Sequence, residues 1–309
     1  MARKKESAVS GVIVIDKHEG VTSFRIISIM RRLFDTTQVG HTGTLDPMAT
    51  GVLPVLIGRA VKASDYIMAR DKRYTARLKL GLTTDTEDTT GEVLSRSDEI
   101  PDERTVRECI ASFVGEISQV PPMYSAIKID GRKLVDIARE GGEVERAPRA
   151  VTINSIGVER LSDDTYELDV SCSKGTYIRT LCADIGKKLG CGAAMSALRR
   201  TSSGDFELSD AYTVERLEAM TLEERQSLVV PTEKLFLHLD ECALPDFYAK
   251  LFIAGAPLYQ KKLRTSLPVG KTVRVTNKGE FIGLGRADVL SESDDTPVLK
   301  AEKLFKLKL

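Results

Sequence analysis

GHTGTLDPMATG, residues 40–51, sets a single carboxylate, Asp46, among three glycines, three threonines and a proline. That is the composition of a loop built around a site. Gly40, Gly43 and Gly51 can adopt positive φ or admit a ligand close to the main chain. Pro47 fixes φ just after the carboxylate and holds Asp46 in extended or turn geometry, so its side chain is presented rather than buried by default. Local chemistry by itself also fits an aspartate that caps a helix start, because Asp-Pro commonly opens one.

Working outward, residues 11–16 are a compact β-branched run that reads as a buried strand, and residues 23–34 place apolar side chains at helical spacing. After the loop, residues 52–57 read as a strand and residues 60–68 as a helix. Tyr74, Ala76, Leu78 and Leu80 alternate with polar or basic residues, which predicts a half-buried strand beginning at Tyr74. A further amphipathic helix is expected over 104–114, a hairpin from 151–160 and 165–173 across Asp163 and Asp164, and helix again between Tyr177 and Leu189. Helices interleaved with alternating strands imply an α+β fold on a mixed, mainly antiparallel sheet. The pattern becomes irregular between 231 and 245. Beyond it, short runs at 271–276, 280–285 and 298–303 with glycines between them suit a small β-barrel. The expected division is 1–240 and 241–309.

A chain of 309 residues, 42% of them apolar, can bury one large core and a small one. Lys plus Arg equals Asp plus Glu at 45 each, so global charge gives no argument for a nucleic-acid partner. Basic clusters at 3–5, at Arg199 and Arg200, at 261–264 and at 300–308 can still line a locally basic groove. The five cysteines form no CxxC pair, and only Cys242 has a histidine nearby, His238, which leaves a metal two ligands short. No metal site is expected, and scattered free thiols suit a reducing compartment. No stretch approaches the ~18 apolar residues of a membrane span. The expectation is a soluble, cytoplasmic protein. Residues 83–90, TTDTEDTT, lack the spacing and closing glutamate of a calcium loop and read as a turn near the site, with Asp85 organising hydrogen bonds.

The loop as a whole closely resembles the catalytic loop of the TruB family of tRNA pseudouridine synthases, and the resemblance extends in order over nearly the whole chain. It implies a pseudouridine synthase-type sheet, with Asp46 as the catalytic carboxylate. GVIVIDKHEG, residues 11–20, is similar to the family's opening strand and loop, with Lys17-His18 where the family commonly has Lys-Pro. In Asp71-Lys72-Arg73-Tyr74 the resemblance makes Tyr74 the aromatic that stacks on the flipped base and assists removal of the C5 proton. In SKGTYIRT, residues 173–180, Tyr177 and Arg179 are two apart and project to one side if the chain is still extended. An arginine beside Asp46 favours the ionised carboxylate against desolvation. In MSALRRTSSG, residues 195–204, Leu198 corresponds to the leucine that lines the uracil pocket, with Arg199 and Arg200 near phosphate. Residues 119–149, rich in basic residues, glycine and proline, resemble the family's thumb loop. The expectation there is a mobile segment in which Met123, Tyr124, Lys128, Arg132 and Lys133 contact RNA. The terminal strands resemble a PUA domain, an RNA-binding module.

These readings imply a stand-alone, monomeric enzyme that isomerises uridine 55 in the tRNA T-loop, needing no cofactor, metal or protein partner. Its partner is tRNA, gripped at the T-arm and acceptor stem. Tyr74, Tyr177 and Leu198 would hold the uracil, Arg179 would position Asp46, His41 would fill space vacated by base flipping, and Lys62 would serve as a hydrogen-bond or phosphate partner. The residues leave open whether Asp46 attacks C6, attacks C1′ or acts as a base at C2′. Two alternatives share the same surface: a guide-RNA-dependent rRNA pseudouridine synthase, against which the thumb-like insertion argues, and a non-catalytic tRNA-folding chaperone. A Ser or Cys hydrolase is disfavoured because no histidine lies in a nucleophile motif.

Overall fold

The computed structural model describes residues 7–125 and 127–308; the basic cluster at 3–5 lies outside them. In chain order the first half contains β1 (Gly11–Lys17), α1 (Ser23–Leu33), β2 (Val39–His41), β3 (Thr50–Ile57), α2 (Ser64–Met68), β4 (Lys72–Leu80), β5 (Leu82–Thr84), β6 (Val93–Arg96), α3 (Glu103–Ala111) and β7 (Gly115–Gln119). A small hairpin, β8 (Lys128–Ile129) and β9 (Arg132–Lys133), precedes α4 (Leu134–Arg139). There follow β10 (Arg149–Arg160), β11 (Thr165–Cys172), α5 (Ile178–Leu189), β12 (Ala193–Ser203), β13 (Phe206–Glu207), β14 (Ala211–Tyr212), α6 (Val214–Glu218), α7 (Leu222–Ser227) and β15 (Val230–Pro231).

These strands form one mixed sheet in the order β14-β1-β3-β12-β4-β11-β10-β7, with β2, β13 and β15 paired at its margins. Only β1 with β14 and β3 with β12 run parallel. The sheet is mainly antiparallel and flanked by helices, the α+β class that the sequence implies. Its β-branched first strand is buried at every position but Asp16 and pairs with β3 from Gly11 opposite Ile57 to Lys17 opposite Gly51. Helix α1 starts where the Thr22 hydroxyl accepts the Arg25 N–H at 3.1 Å, and it lays Ile26, Ile27, Met30 and Leu33 on the sheet. Helices α3 and α5 add Val106, Ile110, Leu181 and Ile185 to the same core. The hairpin of β10 and β11 forms as expected across the Asp163–Asp164 turn.

Two elements differ from the sequence reading. The helix expected over 60–68 is split into a 3-10 turn, Gly58–Ala63, and the short α2. A 3-10 turn aligns residues three apart, which puts Ala60 and Ala63 together on one buried face. Strand β4 begins two residues before Tyr74, because Lys72 already pairs with Cys172 on one side and Ser203 on the other.

Beyond β15, a second sheet forms from β16 (Glu241–Ala243), β17 (Leu258–Tyr259), β18 (Thr272–Asn277), β19 (Glu280–Ser291) and β20 (Asp294–Leu304), with α8 (Asp246–Ile253) and α9 (Gln260–Leu263) beside it. Its order is β16-β18-β19-β20-β17, a curled, PUA-like half-barrel that the pairing leaves open between β16 and β17. It has its own core around Phe252, Val275, Ile282 and Leu299. An aromatic group joins it to the large sheet: Phe236 meets Tyr66 edge-on at 5.2 Å and lies 5.8 and 5.6 Å from Phe281 and Phe305. The Tyr66 hydroxyl donates to Glu302 at 3.1 Å, and the Lys62 ammonium to the Leu304 carbonyl at 3.1 Å.

Candidate active site

The loop after β2 is fixed from three sides. The Ser23 hydroxyl at the head of α1 donates to the Leu45 carbonyl at 3.0 Å and accepts the Leu45 N–H at 2.8 Å. The fully buried Lys17 ammonium, at the end of β1, donates to the carbonyls of Val21, His18 and Pro47 at 2.8, 3.0 and 3.3 Å. Burial pushes Lys17 down to about 8, against the pull of nearby Asp46. Gly51 has φ +99°, and a Cβ there would stand 2.2 Å from the Arg200 carbonyl. Only glycine lets β3 approach β12 at that point.

Asp46 emerges from this frame into a cavity of about 410 Å³ that it shares with Tyr74, Tyr177, Arg179 and Leu198, within the size range of small-ligand sites. Its Oδ2 lies 3.0 Å from Nε of Arg179, whose side chain is only 6% exposed. The same guanidinium donates to the Thr86 carbonyl at 3.1 Å and the Tyr124 carbonyl at 2.8 Å, and lies 3.6 Å from Oδ2 of buried Asp88. Burial raises the Asp46 carboxyl above the ordinary range; Arg179 opposes this, Asp88 reinforces it and Lys17 opposes it. The arginine therefore offsets part of the desolvation without reversing it.

Tyr74 is buried on β4 opposite Arg200, and desolvation holds its hydroxyl protonated. Tyr177 and Arg179 do not share an extended segment: Tyr177 caps α5 and Arg179 is in its first turn. They still reach one cavity because it opens across that helix end. Gln119, buried at the end of β7, holds Tyr177 by both edges of its peptide, accepting its N–H at 2.8 Å and donating to its carbonyl at 3.0 Å. Tyr124 also lines the cavity, and its hydroxyl donates to Asp85 at 3.3 Å.

Of the other candidates, Arg200 shares the cavity wall and the rest lie outside it. Arg200 is 1% exposed and donates to the carbonyls of Val52 at 2.7 Å and Gly43 at 3.3 Å, so its guanidinium is an internal brace of the pocket wall instead of a phosphate contact. Arg199 faces outward and pairs with Asp16 at 2.8 Å. Lys62 is turned to the second sheet, away from the cavity. His41 is half-buried on β2, its Nδ1 accepting the Gly43 N–H at 3.4 Å, and burial lowers its pKa. Asp85 and Met123 line a separate cleft with Arg146 and Asp184. Lys128, Arg132 and Lys133 are exposed on the small hairpin, where Arg132 pairs with Glu140 at 2.6 Å. Residues 119–149 thus carry ordered elements packed beside the site, with Leu134 fully buried.

Residues 31–178 match the TruB family pseudouridylate synthase N-terminal domain, and residues 179–245 match the tRNA pseudouridylate synthase B C-terminal domain. The chain belongs to the TruB family. It is 44% identical over 279 residues to tRNA pseudouridine synthase B of Alkaliphilus oremlandii, covering 90% of this chain and 93% of that one. It is 42% identical over 288 residues to the protein of the same name from Aromatoleum aromaticum, covering 93% and 91%. Among solved structures, an H/ACA RNP bound to a substrate RNA containing 2′-deoxyuridine is similar at TM-score 0.66 and 25% identity, covering 96% of this chain and 85% of that one.

Within this TruB family site, sequence reasoning missed Asp88, Lys17 and Gln119. Lys17 carried a legible signal, since it shares strand parity with the buried Ile13 and Ile15. Asp88 sits among three acids in a threonine-rich turn, and the sequence singled out Asp85 instead.

Proposed function

We propose that this chain isomerises uridine 55 of the tRNA T-loop to pseudouridine, acting alone on its RNA with Asp46 as the nucleophile. The reaction breaks C1′–N1, forms C1′–C5, releases the C5 proton and protonates N1, so it balances without an oxidant, reductant or co-substrate. The observation that carries the reading is the Asp46 carboxylate, held 3.0 Å from Arg179 at a cavity walled by Tyr74, Tyr177 and Leu198. A base must leave its stack to enter such a cavity, and buried aromatic faces are suited to receive it. Similarity above 40% to relatives named tRNA pseudouridine synthase B supports tRNA as the substrate. The hairpin and helix within 119–149 support a chain that grips its substrate without a guide.

In this reading residues 1–240 carry the chemistry and residues 241–309 grip the RNA. Lys261, Lys262 and Arg264 are exposed for that purpose. In the terminal cluster Lys300, Lys303 and Lys306 are already paired with Asp288, Asp65 and Glu280.

The test is tritium release from C5-labelled tRNA transcript on adding the protein alone. Release without guide RNA supports both the reaction class and stand-alone action. Asp46→Asn should still bind RNA while losing turnover by more than about a thousandfold, since the amide is no anionic nucleophile. Activity within about tenfold of wild type would sink the assignment.

A further inference from the structure

Lys72 and Tyr74 lie two apart on β4, so both project from one face of the sheet, and both line the cavity that holds Asp46. Lys72 is 8% exposed. A cation so buried is unfavourable unless its charge is partnered or used. Its ammonium donates to the Met68 carbonyl at 2.7 Å and to the Arg70 carbonyl. Both acceptors are neutral, and an ammonium has three donors, so one N–H remains. Arg200, across the sheet from Tyr74, adds a second cation to the same wall, with its own N–H groups turned to the Val52 and Gly43 carbonyls. Tyr74 feels both Arg200, to which it is hydrogen-bonded, and Asp46, whereas the charged groups acting on Lys72 are Arg200, Asp71 and Lys174. Tyr74 thus stands between the nucleophile and a cationic wall.

We infer that Lys72, backed by Arg200, stabilises the negative charge of the detached uracil by donating its remaining N–H to a ring carbonyl oxygen. This rests on the pseudouridine-forming reading above. When C1′–N1 breaks, the bonding pair stays on the uracil and spreads over N1, O2, O4 and C5. When C5 bonds to C1′, the charge is consumed. Lys72 stays an ammonium throughout and transfers no proton, so it acts as a fixed charge whose interaction strengthens only as the ring becomes anionic. Burial first, then Arg200, lowers Lys72 to about 8, with Cys172 and Asp71 opposing and Lys174 adding. The ammonium is therefore lost at mildly alkaline pH, where an arginine would stay charged.

The experiment measures single-turnover tritium release from C5-labelled tRNA, and tRNA affinity, for the full-length wild type, Lys72→Met and Lys72→Arg. Lys72→Met should slow the step about a hundredfold, the scale of one lost charge-stabilising donor, with affinity nearly unchanged. The wild-type rate should fall more steeply from about pH 7 to about pH 9.5 than that of Lys72→Arg, in which only Lys17, also near 8, still loses its charge. A Lys72→Met rate within about threefold of wild type overturns the inference. So does a wild-type rate that is level over that pH range, which holds even if Lys72→Met fails to fold. If Lys72 merely staples the Met68–Arg70 turn, Lys72→Met loses stability and affinity while the pH profile of the step stays in place. A wild type that releases no tritium overturns the reaction itself, and this inference with it; an active wild type with an active Lys72→Met overturns only the role of Lys72.

Discussion

Replacing Arg179 by lysine keeps the charge and removes the shape. The guanidinium reaches Asp46 at 3.0 Å, the Thr86 carbonyl at 3.1 Å, the Tyr124 carbonyl at 2.8 Å and Asp88 at 3.6 Å. A lysine ammonium is one nitrogen on a flexible stem and cannot span acceptors arranged around a planar fork. If it follows the strongest field, to Asp46 and Asp88, both carbonyls lose their donor. Each half-buried acceptor left unmade costs about 1 kcal/mol at the lower end of the usual range, so the expected loss of stability is about 2 kcal/mol. A displacement of Asp46 by about 1 Å should also slow the chemical step about a hundredfold. Urea unfolding gives the first quantity, read at constant m-value, and single-turnover tritium release gives the second. A rate within about threefold of wild type would show that Asp46 does not depend on this guanidinium. Lost stability with a normal rate would assign Arg179 to holding Tyr124 and the 119–149 segment alone.

Three further outcomes are expected. In the proposed reaction Asp46 must be ionised to act, and its pKa is raised in the fold, so the rate should fall with decreasing pH through a value above the ordinary carboxylate range; Asp88→Asn, which removes one raising influence, should move that acid limb to lower pH. An unmoved limb would detach Asp88 from Asp46. Gln119→Leu leaves the Tyr177 N–H without its partner and removes one of two donors from the Tyr177 carbonyl, which keeps the Leu181 N–H at 3.0 Å, and should destabilise the protein by about 1–2 kcal/mol in denaturant melts, with weaker RNA affinity; an unchanged melt would refute the clamp. Replacing Lys261, Lys262 and Arg264 by alanine should flatten the slope of log affinity against log salt by about 0.7–0.9 per lost phosphate contact. An unchanged slope would show that this surface does not touch RNA.

The loop at 40–51 was legible because glycine and proline are the residues whose backbone limits are strongest, and those limits hold whatever surrounds them. The alternation of β4 was equally plain, and it placed Tyr74 correctly on the buried face. What escaped depended on partners distant in sequence. Three acids fall within TTDTEDTT, and the one that turns inward follows from Glu87 adopting φ +63°, which no local pattern announced. Asp88 then accepts the Thr90 N–H at 2.9 Å and faces Arg179, far away in the chain. The Arg199-Arg200 pair read as two surface cations, yet strand parity sends one out to Asp16 and the other in behind Tyr74. Tyr177 and Arg179 were placed in one site for a geometric reason that failed, since the strand had already given way to α5.

The aromatic contact among Tyr66, Phe236, Phe281 and Phe305, tied by Lys62 and Glu302, has a metrical meaning. A flexible hinge at that seam would let the terminal sheet settle on any convenient stretch of backbone, whatever its distance from the reacting base. On the proposed reading, in which the terminal sheet grips RNA, an apolar joint stitched by hydrogen bonds instead makes the chain a caliper with two jaws at a set opening. An RNA with base pairs inserted between the two grips would have to choose one jaw, and the reacting uridine would be picked out by its distance along the helix as much as by its neighbours.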